Sequence, residues 1–254
     1  MGAEIVVSSY GPHFGEEPEL VGHFGSGTIF FTGCNLLCVF CQNYDISHLR
    51  EGYGIDEARL AEIMLLLQER GCSNINLVTP THFTFQIIQA VKSAKIQGLN
   101  IPIVWNSGGY EKTDTIKMLE GIVDIYMPDL KFISPEKSKL YTKAGDYFYF
   151  ASKALMEMHR QASDLVIKNG IARRGLIIRH LVLPNNQSDT KEIIDFIAEE
   201  FGKDTYLNLM EQYHPCYRAD EYSLLNNHIS MKEYESYINY ARNRGFHRPE
   251  YIFN

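Results

Sequence analysis

Three cysteines lie close together in the chain, and their side chains have the most specific chemistry in the sequence. Cys34, Cys38 and Cys41 have the spacing C-x3-C-x2-C. Thiolates are soft ligands that suit iron–sulfur clusters, and a full set for a [4Fe-4S] cluster is four thiolates. This run supplies three of them. We therefore expect the cysteines to bind three irons and to leave the fourth open to a substrate or cofactor, as catalytic zinc sites keep one position open.

The alternatives for this run are a structural zinc site and buried free thiols. Structural zinc takes four protein ligands, and His48 lies near enough in the sequence to supply the fourth. The remaining cysteines, Cys72 and Cys216, stand alone. An odd number of cysteines with clustered spacing indicates metal binding and not a disulfide framework.

Composition excludes several classes of protein. The chain has 254 residues, of which 45% are hydrophobic, and a formal net charge of -7. A mildly acidic chain argues against a nucleic-acid partner, which would favour clustered Lys and Arg. The sequence shows neither an apolar run long enough for a membrane span nor an N-terminal secretion signal, so we expect no membrane partner and a cytoplasmic location.

Strand and helix patterns alternate along the chain. Apolar periodicity predicts strands at 27–33, 74–79, 101–105, 123–127, 176–183 and 205–210, and helices at 58–70, 82–97, 112–119, 148–169, 190–201 and 230–244. Six strand–helix units predict an α/β fold with a parallel sheet, either a partial barrel or an open doubly wound sheet. We expect one domain over 1–254, in which the Gly- and Pro-rich residues 1–25 form an irregular N-terminal arm.

Polar segments follow the predicted strands. After the cysteine run they are residues 79–82, 106–109, 128–131, 184–186 and 211–214. Ligand sites in parallel α/β proteins lie beyond the carboxyl ends of the strands. These segments are therefore expected to meet at one rim. Arg179 and His180 are adjacent on the fifth strand, so one should face the interior and the other the helices.

Taken together, these residues resemble the radical S-adenosylmethionine (SAM) superfamily. The resemblance lies in the cysteine run after a first strand, with Phe40 just before the third cysteine. Residues 129–131, Arg179 and residues 212–214 are similar to the activating enzymes of glycyl-radical enzymes. Among these, the pyruvate formate-lyase activating enzyme-like (PflX-like) branch is the most similar.

The resemblance implies a partial (β/α)6 TIM-type barrel over residues 26–254. It implies a [4Fe-4S] cluster on the three cysteines, with SAM chelated to the fourth iron. Reductive cleavage would give a 5'-deoxyadenosyl radical that abstracts hydrogen from a substrate. That substrate would be the glycine of a glycyl-radical enzyme, another peptide or a small metabolite. The family also implies a flavodoxin or ferredoxin as electron donor.

The resemblance implies a set of cofactor-binding positions as well. They are Phe40, Thr79, Thr81, Asn106, Asp129, Lys131, Arg179 and His214. Many family members hold the methionine amine of SAM with a Gly-Gly-Glu motif after the second strand. This chain has Thr79-Pro80-Thr81 there, which offers hydroxyls and carbonyls but no carboxylate. Asn106 replaces an acidic residue of a small cation site in related activating enzymes.

Simpler roles remain open for these residues. Asp129 and Lys131 can form a weak surface pair, and His214 can be a buried histidine with satisfied hydrogen bonds. Glu16 and Glu17 are most simply surface charges. For the whole chain, the alternative functions are a non-catalytic iron–sulfur electron carrier or redox sensor, and a zinc-stabilised scaffold.

Overall fold

The computed structural model describes residues 4–253. Its strands are β1 (Ile5–His13), β2 (Ser26–Phe31), β3 (Tyr53–Ile55), β4 (Ile75–Val78), β5 (Ile103–Ser107), β6 (Ile125–Pro128), β7 (Val166–Lys168), β8 (Ile171–Leu181) and β9 (Tyr206–Met210). Its α-helices are α1 (Pro18–Val21), α2 (Tyr44–Ser47), α3 (Glu57–Glu69), α4 (Thr84–Ile96), α5 (Thr113–Lys117), α6 (Pro135–Thr142), α7 (Tyr147–Ala162), α8 (Thr190–Glu200), α9 (Met231–Asn243) and α10 (Glu250–Phe253). Short 3-10 turns occur at Thr81–Phe83, Pro184–Asn186 and Ala219–Glu221.

Six strands form the parallel sheet that the sequence predicted. They are hydrogen-bonded in the order β2-β4-β5-β6-β8-β9, with every neighbouring pair parallel. Within residues 4–253, β9 pairs only with β8, so the sheet does not close on β2. The architecture is therefore a partial barrel, as predicted. Each predicted strand is present, although β8 begins at Ile171, earlier than expected.

The expectation of an irregular N-terminal arm was wrong for its described part, residues 4–25, and residues 1–3 lie outside the described residues. Residues 5–13 form β1, which pairs antiparallel with β2 and with β3. Ile5 and Val7 are buried in the core and provide the apolar contacts of this strand. Gly11 and Pro12 pair with β2, whereas β3 pairs with residues 5–7, so this part of β1 has an open edge at which Pro is tolerated.

The long helix predicted over 148–169 ends earlier than expected. Helix α7 stops at Ala162, and β7 then pairs antiparallel with the start of β8. Asn169 and Gly170 connect these strands with φ of 53° and 76°. Positive φ at both central residues is the geometry of a type I′ hairpin turn, for which Asn-Gly is the preferred sequence. The apolar periodicity of α7 masked this turn in the sequence.

One face of the sheet is apolar along most of the strands and polar at their carboxyl ends. We call its apolar part the apolar floor. A buried cluster on one face contains Leu20 of α1 together with Val104, Ile125, Met127, Leu165, Ala172, Ile177 and Tyr206. Side chains two residues apart share a face of a strand. The residues that follow Val104, Met127, Ile177 and Tyr206 by two positions are Asn106, Asp129, Arg179 and Asn208. We call this polar set the inner face.

The other face of the sheet packs against helices. Trp105, Tyr126 and Ile178 belong to the large core cluster that also contains the apolar faces of α3, α4, α7 and α8. Truncating a buried Leu or Ile in such a core costs about 2–5 kcal/mol, so the strands that carry the inner face are firmly held. None of the helices formed by residues 4–253 is long and apolar enough to cross a membrane.

Candidate functional site

The cysteine loop, residues 34–41, follows β2 and is fixed to the protein by its backbone. The Leu37 amide donates to the Thr142 carbonyl at 3.0 Å, and the Val39 amide donates to the Tyr141 carbonyl at 2.9 Å. Leu36 and Val39 are buried beneath the loop. The alternation of apolar residues with cysteines therefore anchors the loop while its three thiols face a common space.

That space is a cavity of about 270 Å³ at the carboxyl ends of the parallel strands, which we call the cysteine cavity. All three cysteines line it. Cys38 is buried, whereas Cys34 and Cys41 are half-buried. The Leu36 amide donates to Cys34 Sγ at 3.4 Å, and Cys41 Sγ lies 3.1 Å from Ser47 Oγ. Three thiols on one loop and a cavity beside them fit a cluster with one exposed corner.

Burial keeps the Cys34 and Cys38 thiols protonated when no metal is bound. It raises the pKa of Cys34 above its ordinary value and that of Cys38 to about 12. Metal ligands must be thiolates, so a bound metal has to displace these protons. Among residues 4–253, no three His, Cys, Asp or Glu side chains are grouped closely enough to hold a single metal ion.

His48, the candidate fourth zinc ligand, does not line the cysteine cavity. Its Nδ1 lies 2.8 Å from Ser47 Oγ, and its ring packs on Tyr217 with centroids 4.8 Å apart. The imidazole is therefore engaged in the loop beside the cysteines and is not directed at them.

Asp129, Lys131 and Arg179 form an ion network on the wall of the same cavity. Lys131 Nζ lies 2.6 Å from Asp129 Oδ2, and Arg179 Nε donates to Asp129 Oδ1 at 3.0 Å. Arg179 Nη2 donates to Asn106 Oδ1 at 2.6 Å. The three charged side chains are only 15–16% exposed, so the interpretation of a solvated surface pair does not hold.

The charges of this network stabilise one another. Burial alone would raise the pKa of Asp129, but Lys131 and Arg179 hold it below its ordinary value. Burial alone would lower the pKa of Lys131 and of Arg179, but Asp129 outweighs burial and raises both. All three groups therefore stay charged at neutral pH.

The Gly109 backbone, with φ of 76°, passes so close to the Asp129 carbonyl that any side chain there would collide with it.

Phe40 and Thr79 also line the cysteine cavity. Phe40 is buried, with its ring edge-on to Phe132 and Tyr213 at centroid distances of 6.3 and 6.2 Å. Thr79 has φ of 58°, an outlier for a β-branched residue that costs on the order of 1–3 kcal/mol. Its amide donates to the Asn106 carbonyl at 2.9 Å. The strained backbone turns the chain at the rim, where the family motif is missing.

Two of the predicted residues do not reach this cavity. Thr81 Oγ1 donates instead to Glu111 Oε1 at 2.6 Å, and both residues line a neighbouring cavity of about 240 Å³. Glu111 is buried and also accepts hydrogen bonds from Trp105 and Ser107. His214 is exposed, with Nδ1 3.2 Å from Gln42 Nε2. It is therefore neither a cavity residue nor the buried histidine that was the simpler interpretation.

Glu16 and Glu17 are not the surface charges that the sequence indicated. Both are buried or nearly so and line a second cavity of about 570 Å³. This second cavity shares Arg179, Met210 and Gln212 with the cysteine cavity. In the sequence, Glu16 and Glu17 simply precede Pro18, the first residue of α1. Nothing there indicates burial, because the residues that bind them lie far away in the chain.

Comparisons with known proteins agree with this architecture. The sequence pattern of the Radical SAM superfamily matches residues 28–197. An uncharacterized protein of Methanocaldococcus jannaschii, MJ0674, is 34% identical over 239 residues, which are 90% of this chain and 64% of that protein. The chain therefore spans less than two thirds of the length of this relative.

Two solved structures are similar in fold. The FeFe-hydrogenase maturase HydG from Carboxydothermus hydrogenoformans matches with a TM-score of 0.56 at 12% identity, over 84% of this chain and 49% of that one. Native anSMEcpe with bound AdoMet matches with a TM-score of 0.53 at 14% identity, over 84% of this chain and 57% of that one. At these identities the likeness concerns the fold alone.

Proposed function

The chain belongs to the radical SAM superfamily, and we propose that it is an enzyme that binds a [4Fe-4S] cluster through Cys34, Cys38 and Cys41 and cleaves SAM reductively. When bound, the cluster supplies the electron that splits the SAM sulfonium into methionine and a 5'-deoxyadenosyl radical, which abstracts hydrogen from a substrate. The observation that carries the proposal is the single cavity lined by all three thiols and by the ion network.

The ion network of Asp129, Lys131 and Arg179 provides groups suited to the polar parts of SAM. Lys131 and Arg179 place two cations around one carboxylate, that of Asp129, at the wall of the cysteine cavity. A guanidinium and an ammonium held in this way can donate hydrogen bonds to a second carboxylate, such as that of the methionine moiety. We assign this contact to Lys131 and Arg179, and the backbone beside Phe40 to the adenine.

Burial of these groups serves the chemistry. A carbon radical reacts with water-borne quenchers, so its site must be shielded and its substrate must be held close. The apolar floor beneath the inner face and the aromatic contacts of Phe40 supply this shielding. The protein thus contributes binding, orientation and electrostatics.

The direct test is cleavage of SAM by the protein reconstituted with iron and sulfide under anaerobic conditions. With dithionite as reductant, we expect 5'-deoxyadenosine and methionine in equal amounts. An intact cluster that gives no product and no spectral response to SAM would favour an electron carrier or sensor. About one zinc per chain without iron or sulfide, after anaerobic purification, would favour a zinc scaffold.

A second candidate narrows the substrate to the glycine of a glycyl-radical enzyme, with a flavodoxin or ferredoxin as electron donor. It is supported by the resemblance of residues 129–131, Arg179 and residues 212–214 to the activating enzymes of glycyl-radical enzymes. The test is electron paramagnetic resonance of a glycyl-radical enzyme incubated with this protein, SAM and reduced flavodoxin. A glycyl doublet that depends on SAM is expected. Its absence, together with SAM cleavage, would turn the search to small metabolites.

A further inference from the structure

The second cavity joins the cysteine cavity at Arg179 and is lined by a different set of residues. Its distinctive members are Glu16 and Glu17 before α1, Asn208 on β9, and the rings of Tyr234 and Tyr251. Glu16 and Glu17 do not line the cysteine cavity. A volume of about 570 Å³ is in the range that small-molecule sites occupy. Its position next to the candidate SAM site is where a substrate would lie.

Glu17 is a buried carboxylate with half of its hydrogen bonding missing. It is 4% exposed. Its Oε1 accepts from Asn208 Nδ2 at 2.8 Å, but its Oε2 accepts no hydrogen bond from any residue in 4–253. Leaving a carboxylate oxygen buried without a donor is expensive, so such an atom indicates a missing partner.

Asn76 supplies a second buried acceptor without a donor beside the same acidic pair. Its Nδ2 donates to Glu16 Oε1 at 2.9 Å, and because a carboxylate can only accept, this bond fixes the orientation of the amide. Asn76 Oδ1 is then left without a donor among the described residues. Both unpaired atoms are acceptors. Asn76 does not line the second cavity, so the Glu17 oxygen is the atom that a ligand there would satisfy. That ligand must be a hydrogen-bond donor, and a cationic one given the carboxylates.

The charges lead to the same conclusion. Arg179 Nη1 lies 3.4 Å from Glu16 Oε2, while the same guanidinium also serves Asp129. Burial raises the pKa of Glu16, and Arg179 only partly opposes this. Glu16, Glu17 and Asp129 thus face two cations, Lys131 and Arg179.

We propose that the second cavity is the substrate site and that it binds a small molecule through a protonated amine that donates to Glu17 and Glu16. This inference rests on the proposed function and specifies the substrate class of the same enzyme. It favours a small-metabolite substrate over the glycine of a partner enzyme. An ammonium group can only donate hydrogen bonds, which matches the unpaired Glu17 oxygen, and it supplies the missing positive charge.

The test uses the reconstituted enzyme with SAM present and n-butylammonium as the probe. Binding is measured by isothermal titration calorimetry, with butyrate and 1-butanol as matched probes of opposite and zero charge. We expect n-butylammonium to bind and the other two not to bind. Equal binding of 1-butanol, or displacement of SAM by n-butylammonium, would overturn the inference, because either would show that the acidic pair does not select a substrate cation.

The matched variants are Glu17→Gln and Glu235→Gln, which remove one negative charge each. Glu17→Gln keeps an oxygen for Asn208 and should weaken n-butylammonium binding at least about tenfold, since a charged hydrogen bond is lost. Glu235 is exposed on α9, so its variant should bind as the wild type does. Equal affinity in both variants would contradict the inference.

Thermal unfolding checks that Glu17→Gln is folded, and the wild-type comparison of the three probes needs no variant. SAM cleavage by the wild type reports separately on the proposed function. Cleavage without amine binding overturns only the inference, whereas an intact cluster without cleavage overturns the proposed function.

Discussion

The cysteine loop and three residues of the inner face, Asn106, Asp129 and Arg179, line the same cavity, but they are brought together in different ways. The three thiols are neighbours in the sequence, and their contacts within the protein are weak. Asn106 and Arg179 are 73 residues apart, yet they are joined by a hydrogen bond of 2.6 Å. The inner face is thus organised by its own charges, whereas the buried thiols need a metal to become thiolates. The two regions should therefore fail separately when they are mutated.

The largest effect is expected in the cysteine loop. Cys38→Ala should abolish a stable [4Fe-4S] cluster and all SAM cleavage, because no other described residue offers a third thiol to the cavity. Iron, sulfide and 5'-deoxyadenosine are measured after anaerobic reconstitution. Cys72→Ala is the matched control, since Cys72 is buried outside the cavity and should not affect cluster assembly. Cleavage at the wild-type rate in Cys38→Ala would disprove the assignment.

Mutations in the ion network should weaken SAM binding and leave the cluster intact. Lys131→Ala and Arg179→Ala each remove a cation from the cavity wall, and we expect SAM affinity to fall about 10–100-fold, the loss of a charged hydrogen bond. Equilibrium binding of SAM and the iron content are compared for each variant. The exposed Arg59→Ala provides a control for removal of a positive charge. Loss of iron together with SAM would mean that these residues have a structural role.

Mutation of His180, on the outward side of β8, should change the stability of the protein and not the binding of the cluster or SAM. His180 is buried next to Arg179 on the opposite face of the strand, with its ring nitrogens 2.7 Å from the Leu130 carbonyl and 2.9 Å from Thr190 Oγ1. Burial lowers the pKa of His180 to about 4. Because the unfolded state takes up a proton near pH 6.5 and the native state does not, native stability falls as the pH decreases from about 6.5 to 4, by up to about 3 kcal/mol.

Thermal unfolding of the cluster-free protein across that pH range tests this linkage. The variant His180→Asn should be less stable than the wild type at pH 7, and the difference should shrink toward pH 4. A constant difference across the range would show that His180 does not carry the effect.

The smallest effect on SAM is expected at Thr81, which faces away from the cysteine cavity. Thr81→Val removes its hydrogen bond to buried Glu111 and should lower the free energy of unfolding by about 1–3 kcal/mol. SAM affinity should change less than in Lys131→Ala. Urea unfolding and SAM binding measure the two effects, with exposed His214→Ala as the neutral comparison. A larger loss of SAM affinity than in Lys131→Ala would return Thr81 to the cofactor site.

The same contrast explains what the sequence could predict. The cysteine run was recognisable because its chemistry depends on local spacing, and the six parallel strands because each carries a buried apolar run. The convergence of Asn106, Asp129 and Arg179 followed from strand ends meeting at one rim. Whether Arg179 or His180 faces inward was not predictable. Alternation along a strand requires the two side chains to lie on opposite faces, but it does not determine which of them faces inward.

The regions that escaped prediction depend on distant contacts. Glu17 is buried because it meets Asn208, 191 residues away. Thr81 follows the predicted strand as expected, but Glu111, on the loop after β5, draws its hydroxyl away from the cysteine cavity. In both places a polar side chain is oriented by a partner that no local pattern identifies. Residues 163–169 were predicted wrongly for a different reason. The Asn169-Gly170 turn was a local signal, but the apolar periodicity of the preceding helix predicted a continued helix instead.

The most direct test of the central claim is the electron paramagnetic resonance spectrum of the reduced cluster with and without SAM. If the open iron beside the ion network is the binding site of SAM, saturating SAM should change the signal of the wild-type cluster, and Arg179→Ala should require a much higher concentration for the same change. An unchanged wild-type spectrum at saturating SAM, with a full [4Fe-4S] cluster present, would contradict the account.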